Sequence, residues 1–292
     1  MKMKRLAAIT ALGLASALAL AGCSSDSGSS DESTTAESGT AYEFEAGTTM
    51  AELHDAGKIT IGTKFDQPLF GLAGPDGTPE GFDVEIGKII ASALGLSEDQ
   101  IEWKEAVSKN REPFIESGEV DIVIATYTIN DARKEVISFA GPYYVAGQDI
   151  LVLAGNPEGI TGIDDLAGKK VCSVTGSTSE ANLQEAGVEV VSTDTYSNCL
   201  EPLRNGSVVA VSTDNVILAG LASQNEGEFE VVGNPFTSEP YGIGLSHDDS
   251  EFREFINDVL QESFDDGSWA AAWEKTAGTV LATPETPTLD RY

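Results

Sequence analysis

From Lys58 onward, short β-branched runs alternate with stretches of helical period. Lys58–Thr63 (Lys-Ile-Thr-Ile-Gly-Thr) predicts a strand. Phe82–Leu94 predicts an amphipathic helix, because Val84, Ile86, Ile89, Ile90 and Leu94 fall on one face of a 3.6-residue period. Ile101–Trp103 predicts a strand, Asn110–Glu116 a short helix, Val120–Ala125 a buried strand and Asp149–Ala154 a longer one. The alternation then restarts. Strands are predicted at Lys170–Val174, Val188–Val191, Val208–Val211 and Phe229–Val232, with helices between them at Thr178–Ala186, Asn198–Arg204 and Asp214–Ser223. A further strand at Tyr241–Leu245 and helices at Asp249–Phe264 and Ser268–Thr276 close the body. The prolines of Thr283–Thr288 predict an irregular tail.

Strands interleaved with helices imply an α/β fold with mainly parallel sheets, here in two sets. The pattern divides into a first part of lobe 1 over 50–148, lobe 2 over 149–240, a return to lobe 1 over 241–280 and a tail over 281–292. The long strands at 149–154 and 241–245 flank the second set and read as two crossovers that form a hinge. A ligand would sit in the cleft between the lobes.

The chain opens Met1-Lys-Met-Lys-Arg5, continues with an apolar run to Leu20 and reaches Leu20-Ala-Gly-Cys23. A basic start, a short apolar region and small residues at its end describe a secretory signal over 1–22. Leu-Ala-Gly-Cys resembles the lipobox of bacterial lipoproteins, which implies lipidation at Cys23 and a place on the outer face of the cell membrane. A chance cysteine after an ordinary signal is the alternative. Ser, Asp, Glu, Thr and Gly dominate the next residues, so 23–49 reads as a disordered linker from the anchor.

The net charge is −31, from 17 Lys plus Arg against 48 Asp plus Glu. Loss of Lys2, Lys4 and Arg5 with the signal leaves 14 basic residues and a charge of −34. This excess argues against nucleic acid and anionic lipid surfaces as partners. It also means that any bound anion needs local cations. With Cys23 assigned to lipid, Cys172 and Cys199 remain. An even pair in an exported chain suggests a disulfide, with two buried thiols as the alternative.

Catalytic machinery is not visible. The only histidines are His54 and His247, and there is no zinc motif, nucleophile elbow or phosphate loop. No metal or cofactor is expected. Binding chemistry is easier to find. Thr126 and Thr128 end an apolar run, Asn130 offers a helix cap, and Arg133 falls in the first turn that follows. Hydroxyls, amides and a guanidinium fork suit a carboxylate; a surface arginine beside a cap is the alternative. Val174–Glu180 follows a strand and opens a helix, so Thr175, Ser177 and Thr178 form either an anion cradle or a plain cap. Asp214 begins a helix and either caps it or receives an ammonium. Lys64 and Arg111 stand after a strand and at a helix start, where each also reads as surface charge.

Together these segments resemble the family 3 extracellular solute-binding proteins of polar amino-acid ABC transporters. The likeness covers about Lys58 to Thr276. Gly81-Phe-Asp-Val-Glu-Ile86, Thr126-x-Thr128-x4-Arg133 with Phe139-Ala-Gly-Pro-Tyr143, Gly176-Ser-Thr178 and Asp214 carry it. Gly62–Pro68, Val171–Thr178 and Asp194–Cys199 are similar to the glutamate-binding lipoproteins of Gram-positive bacteria, including both cysteines. Departures are Asn130 for a usual threonine, Ala132 for a usual glutamate and Val209 for a frequent aspartate.

The resemblance implies a two-lobed periplasmic binding protein-like fold (type II), no enzymatic activity, and a monomer that delivers L-glutamate or a related amino acid such as L-aspartate to permease subunits. Arg133 would clamp the α-carboxylate, helped by Thr128 and the amides of Ser177 or Thr178. Thr126 and Asp214 would take the ammonium, and Phe82 would wall the pocket. Lys64, where basic-ligand relatives carry an aspartate, and Arg111 would read a side-chain carboxylate, with Tyr196 nearby. Counting Lys64, Arg111 and Arg133 against Asp214 leaves a local charge of +2 before glutamate binds and +1 after. Glutamine and other polar amino acids, a dehydratase-like enzyme and a ligand sensor are the other readings.

Overall fold

The computed structural model describes residues 43–292. The signal, Cys23 and most of the expected linker lie outside the described residues. The linker's expected end at residue 49 is too late. Phe44 packs on the core against Phe255, with ring centroids 5.8 Å apart.

Helix α1 (Thr49–Ala56) leads into β1 (Ile59–Thr63), and a small three-stranded sheet follows from β2 (Asp66–Gln67), β3 (Gly71–Ala73) and β4 (Pro79–Glu80). Then come α2 (Phe82–Ala93), β5 (Ile101–Glu105), α3 (Arg111–Glu116), β6 (Ile122–Val123), α4 (Asp131–Lys134) and β7 (Ser138–Ala146). The second set is β8 (Gln148–Leu153), β9 (Lys170–Val174), α5 (Thr178–Glu185), β10 (Glu189–Thr193), α6 (Leu200–Arg204), β11 (Ala210–Asp214), α7 (Asn215–Gln224) and β12 (Phe229–Val231). The chain finishes with β13 (Glu239–Leu245), α8 (Ser250–Asp266) and α9 (Ser268–Lys275).

Two five-stranded sheets organise these elements, in the orders β5-β1-β6-β13-β7 and β10-β9-β11-β8-β12. The plan is the same in both. Three parallel strands stand side by side, and the fourth runs against its neighbours: β13 against β6 and β7, β8 against β11 and β12. The ladders are thus more mixed than a mainly parallel reading predicts. Each sheet with its helices is one lobe of an α/β fold.

The crossings also lie one step earlier than expected. Strands β8 and β13 each stay within one sheet; the chain changes sheets at Gly147 and again between Val231 and Glu239. The Gln148 amide donates to Thr237 Oγ1 at 2.9 Å, and the Phe236 amide donates to the Gln148 carbonyl at 2.9 Å. A Cβ on Gly147 would meet the Thr237 carbonyl oxygen at 2.8 Å, so the glycine lets the two crossing segments touch.

Strand β7 carries no strand signal in the sequence, because Gly141-Pro142 interrupts its pattern. As an edge strand it tolerates a residue that cannot donate to a ladder. The tail covers part of that edge. The Asp290 amide donates to the Gly141 carbonyl at 2.7 Å, the Phe139 amide donates to Tyr292 Oη at 2.9 Å, and Leu281 and Leu289 pack on the core. The tail has no regular secondary structure, as its prolines imply, yet it is docked.

An aromatic cluster beneath the first sheet includes Phe70, Phe82, Tyr144 and Trp273, with Phe82 and Trp273 centroids 5.1 Å apart. In the second lobe Cys172 and Cys199 form a disulfide across a sequence separation of 27. Closing a loop of that length contributes about 3–4 kcal/mol by restricting the unfolded chain. Among the described residues, no helix is long and apolar enough to cross a membrane.

The lobes meet tightly at one further glycine. A Cβ on Gly220, in α7, would lie 2.4 Å from the Pro68 carbonyl oxygen of the other lobe. Alanine is favoured over glycine within a helix by about 1 kcal/mol, so Gly220→Ala should leave α7 intact while forcing the lobes apart. Small-angle scattering of the variant should give a larger radius of gyration at unchanged helical circular dichroism. A radius equal to that of the parent protein would refute the contact's role.

Candidate functional site

One side of the site is built from a turn and a buried carboxylate. Gly81 precedes α2 with φ +135°, and a Cβ there would lie 2.3 Å from the Phe70 carbonyl group, so only glycine fits. The turn sends Asp83 into the interior at 0% exposure. Its Oδ1 accepts from the Tyr143 hydroxyl at 2.6 Å and its Oδ2 from the Thr126 amide at 2.8 Å. Burial pushes Asp83 up to about 7, against the pull of these two bonds and of Lys64.

Thr126 needs that support, because its φ is +45°. A non-glycine residue in the left-handed region costs about 1–3 kcal/mol. Its hydroxyl also donates to Gln67 Oε1 at 2.9 Å. The bend ends the β6 ladder after Val123, which is why the strand is shorter than the apolar run Val120–Ala125 suggests. It also aims the carbonyls of Ala125 and Thr126 at Arg111 Nη1, at 3.1 and 3.4 Å.

Arg111 is therefore buried rather than superficial. Its guanidinium lies 4.1 Å from the Tyr127 ring centroid, and that of Arg133 lies 4.9 Å from the same ring. Burial and the nearby Arg133 charge hold Arg111 down to about 10. Lys64 is buried as well and donates to Ser108 Oγ at 2.9 Å. Burial first and Arg111 second hold it down to about 7. Arg133 donates to the Thr128 carbonyl at 2.6 Å, to the Gly176 carbonyl of the other lobe at 3.3 Å and to Glu112 Oε1 at 3.0 Å.

The opposite side comes from the turns after β9 and β11. Gly176 has φ +79°, and a Cβ there would approach the Lys109 Cα to 2.9 Å across the cleft. Ser177 caps α5 by accepting from the Glu180 amide at 3.0 Å, and its own amide donates to the Val174 carbonyl at 3.1 Å. The Ser177 amide is thus engaged, and the amides of Thr178 and Ser179 are the ones that lack intrahelical acceptors. Asp214 precedes α7. Its Oδ2 accepts from the Tyr241 hydroxyl at 2.6 Å, while its buried Oδ1 has no hydrogen-bond partner among the described residues. Burial, then the Glu239 charge, push Asp214 up to about 7, opposed by the Tyr241 bond and by Arg111 and Arg133.

Between these walls lies a small cavity. Ser108, Arg111, Thr126 and Thr128 line it from the first lobe, and Ser177, Thr178, Ser179, Tyr196, Thr213, Asp214 and Ile217 from the second. Seven residues singled out in the sequence therefore meet here: Arg111, Thr126, Thr128, Ser177, Thr178, Tyr196 and Asp214. Lys64 stands behind Ser108, and Arg133 behind Thr128. Thr175 sits half-buried before the α5 turn and is not in the lining. Phe82 is at 0% exposure in the aromatic core and does not wall the cavity.

Ser108, Ser179, Thr213 and Ile217 went unnoticed in the sequence. Only Ser108, three residues before Arg111 on the same turn, had a usable signal. The local charge of +2 also needs correction, since Asp83 and Glu112 lie against the cations and Glu239 lies near Asp214. Among the described residues, no group of three or more His, Cys, Asp or Glu side chains is placed to hold a metal ion.

The family model for bacterial extracellular solute-binding proteins, family 3, matches residues 59–279. The chain belongs to this family. Its members bind solutes and are not enzymes, and the two-lobed type II fold is theirs. The glutamate-binding protein GluB of Corynebacterium efficiens is 41% identical over 237 residues, spanning 77% of this chain and 80% of that one. The glutamine-binding protein GlnH of Bacillus subtilis is 37% identical over 242 residues, spanning 82% and 88%. The solved structure of an ancestral arginine-binding protein bound to glutamine is 38% identical with a TM-score of 0.70, covering 75% of this chain and 97% of that one.

In this solute-binding protein Asp83 is the support of one cavity wall. Asp83→Asn cannot accept from both Tyr143 and Thr126, and leaving a buried donor unpaired costs about 1–3 kcal/mol. Urea denaturation should show a loss in that range, while a loss below ~0.5 kcal/mol would remove Asp83 from this role.

Proposed function

We propose that the protein is the lipid-anchored receptor of an ABC importer, capturing L-glutamate (with L-aspartate as a related ligand) between its lobes and delivering it to a membrane permease. The observation that carries the reading is the buried, unpartnered Oδ1 of Asp214 in a small cavity that also holds Arg111. An ionised carboxylate with one oxygen open wants a cation. An amino-acid ammonium supplies it and brings a carboxylate for the other wall. Arg133 spends three N–H groups on protein oxygens, which leaves one N–H on each terminal nitrogen for that carboxylate. Lobe closure then completes the site, as in hinge-type binding proteins.

The side-chain end favours an acceptor. Lysine only donates, so Ser108 Oγ accepts from Lys64 and keeps its own hydrogen for the cavity. Arg111 stands beside it. A glutamate side chain pairs these desolvated cations, whereas a neutral one leaves them under-paired. The likeness to GluB supports the same choice. Glutamine is the second reading, favoured by the carbonyls that already satisfy part of Arg111 and by the likeness to GlnH. Leu20–Cys23 supports the lipid anchor at Cys23.

Calorimetry with glutamate, aspartate and glutamine tests the proposal. Arg133→Ala should abolish binding of all three, and Lys64→Ala or Arg111→Ala should weaken glutamate more than glutamine. Unchanged glutamate affinity in Arg133→Ala would sink the idea.

Acidity gives a second test. The Asp214 carboxyl must be ionised to hold an ammonium, so affinity falls as pH drops below about 7. Lys64 must be protonated to favour a carboxylate, so glutamate affinity also falls as pH rises above about 7. A bell centred near 7 is expected for glutamate, with limbs of at most about tenfold per pH unit for one linked proton. Glutamine should show the acid limb alone. An alkaline limb for glutamate that persists in Lys64→Met would exclude Lys64 from recognition.

A further inference from the structure

Tyr127 stands between Thr126 and Thr128, which both line the cavity, but its own side chain is buried at 0% exposure and is not in the lining. It packs with Ile115 and Ile137, and its ring centroid is 4.8 Å from that of Phe139. The Arg111 and Arg133 guanidiniums both lie over this one ring, at 4.1 and 4.9 Å from its centroid. The backbone around it serves the same two side chains. The carbonyls of Ala125 and Thr126 accept from Arg111 Nη1, and that of Thr128 accepts from Arg133 Nη1 at 2.6 Å. Residues 125–128 therefore hold both arginines, and Tyr127 is the one whose side chain meets the two together.

The two like charges repel. After burial, the Arg133 charge is the next influence that holds Arg111 down. The negative face of an aromatic ring attracts a guanidinium, more strongly where water is excluded. A ring shared by two cations offsets part of their repulsion and bounds how far apart they stand. The contribution is the ring's own. The Tyr127 hydroxyl is buried with no hydrogen-bond partner among the described residues, and Glu112 accepts from Arg133 Nε instead. Burial pushes that hydroxyl well above its ordinary range, with Arg111 opposing and Glu112 adding, so Tyr127 stays neutral and is no counter-charge.

We propose that Tyr127 is a positioning residue for ligands with two carboxylates: its ring fixes the Arg111 and Arg133 guanidiniums relative to each other and so sets the span between the two carboxylates that the site accepts. This rests on the glutamate reading, in which Arg133 takes the α-carboxylate and Arg111 the side-chain carboxylate, and deepens it. Protein oxygens engage Nε and Nη1 of Arg111, so Nη2 is the nitrogen that remains for a ligand. A pair of donors held in place beforehand spares the ligand the cost of ordering them. Glutamate draws on both arginines, whereas the neutral side chain of glutamine does not need the held pair.

Tyr127→Leu in the full chain tests the inference by calorimetry. Glutamate affinity should fall about tenfold and glutamine affinity no more than about threefold. Tyr127→Phe keeps the ring and drops the unpartnered hydroxyl, so its glutamate affinity should lie within about twofold of the parent's. Parent-like glutamate affinity in Tyr127→Leu overturns the inference. So does an equal loss for both ligands, which is what a purely structural role gives, or a loss in Tyr127→Phe as large as in Tyr127→Leu. If thermal melting shows that Tyr127→Leu does not fold, pentafluorophenylalanine at position 127 takes its place, because fluorine strips the ring's negative face and keeps its shape. Glutamate should again weaken relative to glutamine, and a ratio equal to that of Tyr127→Phe overturns the inference. Arg111→Ala separates the two readings. If it narrows the preference for glutamate and Tyr127→Leu does not, only the role of Tyr127 fails. If it leaves the preference unchanged, the side-chain reading and this inference fail together.

Discussion

The bond from the Thr126 amide to the Asp83 carboxylate is the constraint on which the first wall of the site depends. It holds a non-glycine residue at positive φ. That bend ends β6, turns two carbonyls onto Arg111 and sets the Thr126 hydroxyl at the cavity. Asp83 reaches its place only because Gly81 lets the chain pass against the Phe70 backbone, and because Tyr143 occupies the second carboxylate oxygen. A buried carboxylate with both oxygens bonded is costly to desolvate, yet once formed it fixes geometry more firmly than packing alone. The ligand-facing groups stand on this polar core.

The second wall follows another logic. Its groups sit at helix starts after β9 and β11, where unspent amides and short polar side chains collect. The chain links the two walls where it crosses between sheets, and there the crossing segments bond to each other. Glycines at 147, 176 and 220 let backbone meet backbone across the boundary. The lobes can therefore approach closely without interdigitating large side chains, which suits surfaces that part and meet again.

Much of this was legible in the chain. The helix from Phe82 and the strands at Lys58–Thr63 and Lys170–Val174 follow from periodicity, and the restart of the alternation after residue 154 announces a second lobe. Strand β7 was not legible, because a Gly-Pro pair reads as a break and only its edge position permits it. For the site, the cations were visible but their surroundings were not. Arg111 and Lys64 are three-dimensional neighbours of carbonyls and a serine that sequence spacing cannot assign. The partners Glu112 and Glu239 are distant from Arg133 and Asp214 along the chain, so a charge count over a few chosen residues overstated the positive potential. Asp83 lay within a quoted motif, but nothing in its spacing shows that it anchors Thr126.

The two sheets differ in how they are drawn from the chain. The second is complete within one unbroken stretch, from Gln148 to Val231, whereas the first needs β13 to sit between β6 and β7. As the chain emerges from its N-terminus during synthesis, strands β1, β5, β6 and β7 come early but lack the strand that joins them. The later-emerging sheet can close first. The earlier one must keep its apolar faces out of trouble until β13 and the docked tail arrive, so the order of emergence and the order of completion are reversed in this molecule.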